Sequence, residues 1–130
     1  MKKIILDTDF LIHCAKFKID YTAELTRILD FKFEPVIIDK TIDELDGVIE
    51  RSRGKEKDAA KLAKTVLKHK NIEQVKTAKN RIVDVLILNI VNKDDYVVAT
   101  MDAELKRELK KKGVPVVVIR QKKYLQMFNY

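Results

Sequence analysis

Apolar residues fall in short dense runs separated by longer amphipathic stretches. Ile4-Ile5-Leu6, Val36-Ile37-Ile38, Tyr96-Val97-Val98-Ala99 and Val116-Val117-Val118-Ile119 are apolar without alternation. Strands buried on both faces read this way. The pattern predicts strands over residues 3–7, 35–39, 96–100 and 116–119, and a short one over 72–75. Between the runs the period becomes helical. Helices are expected over 9–18, 21–30, 41–50, 56–69 and 103–112, and from a cap at Asn80 to about Asn92. Ala59, Ala63, Val66 and Leu67 would be the buried stripe of the 56–69 helix. Gly54 breaks the pattern before it, and Gly113 stops the 103–112 helix. Apolar strands separated by helices argue for an α/β fold, a three-layer α/β/α sandwich around a mainly parallel sheet. The 130 residues make one domain, 1–130, without repeats or linkers.

Some acids sit where such a pattern has little use for them. An isolated buried carboxylate costs several kcal/mol or neutralises, so it normally has a partner. Asp7 ends the first strand and Asp102 follows the fourth, at the carboxyl ends where parallel sheets hold their ligands. Asp84 interrupts Ile82-Val83-Asp84-Val85-Leu86, four residues into the helix opened by Asn80. Glu44 lies in the helix after the second strand. Each has a structural alternative. Asp7 and Asp102 suit helix N-caps. Thr41-Ile42-Asp43-Glu44 fits a capping box. Arg81 stands three residues before Asp84, at ion-pair spacing. Asp9 remains unexplained by a cap at Asp7, and Thr100 is a polar group at a strand end, able to bind water or phosphate or to finish a turn. Acids that converge on a shared Mg²⁺ or Mn²⁺ would resolve the cost of burial and could break phosphodiesters.

Charge adds a partner. The net charge is +7. One basic segment runs from Arg51, Arg53 and Lys55 to Lys70; another runs from Lys106, Arg107, Lys110 and Lys111 to Arg120, Lys122 and Lys123. They read either as a solvated surface or as one that gathers a polyanion. Tyr124, Phe128 and Tyr130 are candidates to stack unpaired bases or to pack a C-terminal helix on the core. The single cysteine, Cys14, excludes an intramolecular disulfide, and no Cys/His spacing suggests zinc. Three apolar residues between Lys3 and Asp7 are too few for a signal peptide, and no apolar run spans a bilayer. A cytoplasmic setting without membrane is expected.

Four segments in order resemble a PIN domain, a family of small metal-dependent ribonucleases. They are Ile4-Ile5-Leu6-Asp7-Thr8-Asp9, Asp39-Lys40-Thr41-Ile42-Asp43-Glu44-Leu45, Val83-Asp84-Val85-Leu86-Ile87-Leu88 and Val98-Ala99-Thr100-Met101-Asp102. The basic, proline-bearing ending resembles the branch that processes pre-ribosomal RNA, which suggests an archaeal-type relative; VapC-type toxins share the fold and the acids. Asp9 stands where the family often has asparagine, and Val85 where the ribosomal branch often has a second acid.

The resemblance implies a divalent-metal-dependent endoribonuclease using Mg²⁺ or Mn²⁺. Asp7, Glu44, Asp84 and Asp102 would be its catalytic and metal-holding residues, supported by Asp9 and Thr100. RNA would be held by the basic segments. A second copy of the chain is a partner the family admits, as is an antitoxin on the VapC reading. Two rivals remain: a non-cleaving RNA-binding assembly factor, and a phosphatase of the haloacid dehalogenase type suggested by Asp7-Thr8-Asp9. The second requires a later acid pair after a strand, whereas Asp94-Asp95 precedes one.

Overall fold

The structure is a computed structural model that describes residues 1–129. It begins with β1 (Lys2–Leu6), α1 (Thr8–Phe17), α2 (Tyr21–Ile28) and β2 (Phe33–Ile38). Next come α3 (Lys40–Arg51), α4 (Gly54–His69) and β3 (Glu73–Val75). The chain ends with α5 (Val83–Ile90), β4 (Tyr96–Ala99), α6 (Ala103–Lys111), β5 (Val116–Arg120) and β6 (Tyr124–Phe128). The strands form one sheet in the order β3-β2-β1-β4-β5-β6. Every pairing is parallel except β5 with β6.

The unbroken apolar runs are explained by layers on both faces. Side chains alternate between the faces of a strand. Ile4, Leu6, Ile37, Val97, Ala99, Val117 and Ile119 join one core, with Phe10 and Leu11 of α1, Leu25 of α2, Leu45 of α3 and Ala60 and Ala63 of α4. Ile5, Val36, Ile38, Val98, Val116 and Val118 join the other, with Leu86 and Ile87 of α5 and Leu105 and Leu109 of α6. The predicted three-layer sandwich is therefore present. No described helix is long and apolar enough to cross a membrane.

Three local expectations are corrected. Residues 124–128 form an antiparallel edge strand, not a C-terminal helix. Within it Leu125 is buried, and Arg27 donates to the Leu125 carbonyl while Glu24 accepts from its N–H. The hairpin turn uses Gln121 and Lys122 at φ of 53° and 56°, a left-handed region normally signalled by Asn or Gly. Helix α5 opens at Val83 after Ile82, not at Asn80, so Asp84 lies in its first turn. Helix α3 is capped by Asp39, whose carboxylate accepts from Lys40 N–H and from both Thr77 N–H and its hydroxyl. The Thr41–Glu44 capping box does not form, and the buried Thr41 hydroxyl has no hydrogen-bond partner among the described residues.

The order of strands sets the site. From β1 the chain crosses to β2 on one side, and from β4 it crosses to β5 on the other. The crevice between the carboxyl ends of β1 and β4 is a topological switch point, where open parallel sheets bind ligands.

Candidate acidic site at the strand ends

Asp7 leaves β1 directly into this crevice and is 3% exposed. It does cap α1, but with one oxygen only: Oδ1 accepts from Thr8 N–H at 2.9 Å. Oδ2 accepts from the Thr100 hydroxyl at 2.8 Å. Thr100, fully buried after β4, also accepts from the Asp102 N–H at 3.1 Å. Asp102 caps α6 in turn through Oδ1, which accepts from Leu105 N–H at 2.8 Å. The cap readings and the site readings are thus compatible, because a carboxylate has a second oxygen to offer.

Glu44 arrives from α3, one turn in, and Oε1 accepts from the Thr8 hydroxyl at 2.7 Å. Asp84 faces the crevice from the first turn of α5. It forms no ion pair with Arg81, which is exposed. Asp7, Glu44, Asp84 and Asp102 all line one cavity of about 520 Å³, together with Asp9 and Asp43. Lys40 and Arg51 are the cations on its wall.

The carboxylates raise one another's proton affinity. Burial pushes Asp7 up to about 7, with repulsion from Asp84 and Asp9 adding to it and bonds from Thr100 and Thr8 opposing it. Asp84 is pushed up to about 6 by burial, then by the charges of Asp102, Glu44, Asp9 and Glu104. Among the described residues Asp7, Glu44, Asp84 and Asp102 form no ion pair, so their like charges are left to repel one another. The donors are carboxylate oxygens, the set a hard divalent ion prefers. Among the described residues no three acidic, histidine or cysteine side chains already converge on one ion position. A cation would have to draw the carboxylates together or reach some of them through water.

The predicted basic residues divide among several places. Arg51 lines the acidic cavity, whereas Lys55 lines a separate cleft between α1 and α4 and Arg53 precedes α4. Lys106, Arg107, Lys110 and Arg120 line a groove of about 340 Å³ with Phe128, whose ring lies 6.0 Å from the Arg120 guanidinium. Lys111 pairs with Glu108, and Lys122 lies over the Phe17 ring. Lys123 is exposed in the hairpin turn, and Tyr130 lies outside the described residues. Sequence reasoning missed Thr8, which orients Glu44, and Lys40 and Gly47 on the cavity wall; Asp43, open to a solvent-facing or an assisting role from the sequence, lines the cavity too. The spacing of 40, 43, 44, 47 and 51 along one helix face was the available signal. A larger cavity of about 660 Å³ between α3, α4 and β3 is walled by isoleucines and lysines and holds no carboxylate.

Comparison with known proteins agrees with this geometry. Ribonuclease VapC4 of Methanocaldococcus jannaschii is 42% identical over 99% of this chain and 98% of its own length. The rRNA-processing protein utp23 of Schizosaccharomyces pombe is 30% identical over 92% of this chain, which spans 45% of that protein. The solved structure of the PIN domain endonuclease Utp24 superposes with a TM-score of 0.81 at 26% identity, covering 98% of this chain and 92% of that one. Asp94 and Asp95 are exposed in the turn before β4, where Asn92 Oδ1 accepts from both N–H groups, so the phosphatase pattern has no counterpart. A family model described as PIN like domain matches residues 4–122, a span that holds all four acids. The chain belongs to the PIN-like domain family.

Proposed function

We propose that this chain is a divalent-metal-dependent endoribonuclease that hydrolyses RNA phosphodiester bonds, with Asp7, Glu44, Asp84 and Asp102 holding Mg²⁺ or Mn²⁺. The observation that carries the reading is the convergence of these four acids, none of them in an ion pair among the described residues, on one cavity at the strand ends. Asp7 and Asp102 are the direct ligands, and Glu44 and Asp84 complete the set directly or through water. When bound, the cation supplies Lewis acidity to the phosphodiester and lowers the pKa of water.

The chain's own residues do the positioning. Thr100 holds Asp7 and Asp102 in one register. Thr8 turns Glu44 toward the cavity. Asp9, exposed at the start of α1, adds charge at the lip. The basic groove beside α6 offers phosphate contacts next in sequence to Asp102.

For the RNA, pre-ribosomal RNA is the first reading, supported by the likeness to the rRNA-processing protein utp23. The alignment with Ribonuclease VapC4 covers 99% of this chain, so it runs through the basic ending. A toxin-type ribonuclease with an antitoxin partner is the second reading, supported by that likeness. Incubation with ribosomal RNA fragments, transfer RNA and unstructured RNA, each with Mn²⁺, Mg²⁺ or EDTA, tests both. Cleavage abolished by EDTA supports the proposal. Binding without cleavage under every metal would leave a non-cleaving RNA-binding protein instead.

A further inference from the structure

Gly47 stands in the interior of α3. It is not among the residues with positive φ, so the helix there asks nothing of glycine's backbone freedom. Glycine is nonetheless the poorest helix former after proline. What its missing side chain leaves open is specific. A Cβ at Gly47 would lie 2.9 Å from Arg51 Nη1 and, beyond its chain neighbours and the local backbone of α3, would touch nothing else among the described residues. Helical side chains lean toward the N-terminus. Arg51, one turn later, therefore lies back along α3 and rests its guanidinium in the space at Gly47. Both residues line the acidic cavity, on the same face as Glu44.

The guanidinium is also uncommitted. Among the described residues Arg51 forms no salt bridge, although six carboxylates line the cavity it enters. A polyanionic substrate entering such a cavity meets like charge. One fixed fork of N–H donors would offset that field and grip two phosphate oxygens at once.

We propose that Arg51 is the phosphate-holding cation of the acidic site, and that Gly47 is the positioning residue that seats it there. The proposal rests on the ribonuclease reading above and names how the substrate's backbone is held in that site.

The test compares the full-length wild type with Arg51→Ala, Gly47→Ala, the double variant and Arg51→Lys. Affinity for a labelled 12-nucleotide RNA is followed against salt in EDTA, where metal-dependent cleavage is off. Cleavage is followed separately in Mn²⁺, and melting with and without Mn²⁺. Arg51→Ala should lower kcat/KM on the order of a hundredfold, the usual scale for losing one donor to a developing charge. Its salt slope should fall by about 0.7, one phosphate contact on a single strand. Gly47→Ala should lose function in the same direction while melting no lower than wild type, because alanine favours the helix. The double variant should be no worse than Arg51→Ala. Arg51→Lys should keep the salt slope and recover only part of the rate.

The Mn²⁺-induced rise in melting temperature reports the acids, and it should survive in every variant. A wild type with neither that rise nor cleavage overturns the ribonuclease reading itself. An active wild type matched by Gly47→Ala, or a Gly47→Ala loss that adds in full to that of Arg51→Ala, overturns the seating of Arg51 alone.

Discussion

The Thr100 hydroxyl donates to Asp7 Oδ2 across 2.8 Å while accepting from the Asp102 N–H, so one buried side chain joins the ends of β1 and β4. Two of the four acids take their position from it. Thr100→Val keeps the shape and removes both bonds. Asp7 would then lose the bond that most opposes its high pKa, and the carboxyl would rise further. The fold should lose about 1–3 kcal/mol for buried groups left unpaired. The acid limb of the pH–rate profile should move to higher pH. Urea unfolding and a pH series of RNA cleavage measure both effects, and Thr100→Ser should restore most of each. An unchanged profile in Thr100→Val would remove Thr100 from the site.

The raised carboxylates also fix a direction for stability. The Asp7 carboxyl rises from 3.8 to about 7 on folding, and that of Asp84 to about 6. Through the window from about pH 4 to 7 the folded chain then binds more protons than the unfolded one. The cation-free fold therefore loses stability as pH rises through that window and levels off above it. Asp7 alone costs on the order of 4 kcal/mol at the upper end. Asp20, Glu24 and Asp39 are held low and act in the opposite sense, but below the ordinary carboxylate range. In EDTA the melting temperature should be higher at pH 5 than at pH 8, and Asp7→Asn should flatten the difference. A wild type that melts higher at pH 8 contradicts the crowding of acids.

A bound cation should reverse that trend. Mn²⁺ or Mg²⁺ at millimolar concentration should raise the melting temperature at pH 8, since a ligand held only by the folded state stabilises it. The rise should shrink at pH 5, where protons compete for the same oxygens. Asp84→Asn should melt above the wild type in EDTA because it removes a repelling charge. The same variant should lose cleavage. Persistent cleavage in folded Asp84→Asn would make Asp84 dispensable to the chemistry.

What could be read from the chain follows from which forces are local. The buried strands were legible because apolar runs such as Val116–Ile119 have no solvated face to hide. Asp7 and Asp102 were legible for the same reason, as charges placed against such runs. Boundaries set by tertiary partners were not. Asp39 caps α3 with help from Thr77, 38 residues away, and this displaced the local capping box at Thr41. Strand β6 was hidden by a turn lacking Gly or Asn, and its edge is held by Glu24, 101 residues away. Thr8 was overlooked because its value lies in meeting Glu44 across 36 residues.

The division of the basic residues makes the last expectation specific. Lys106 and Arg107 of α6 and Arg120 of β5 share a groove with the Phe128 ring, whereas Lys122 sits over Phe17 of α1. A strand of RNA leaving the acidic cavity past Asp102 meets Ala103 and then this groove. Replacing Lys106, Arg107 and Arg120 with glutamine should weaken RNA binding and lower the salt slope by about 2, three phosphate contacts on a single strand. Replacing Lys122 and Lys123 should leave the slope near that of the wild type. Phe128→Leu, which keeps the apolar packing of the edge strand, should weaken binding to unstructured RNA more than to duplex, because stacking needs an unpaired base. Filter binding from low to physiological salt separates these outcomes. If the Lys122 and Lys123 pair lowers the slope and the groove triple does not, the RNA runs over the β5–β6 turn toward α1 instead.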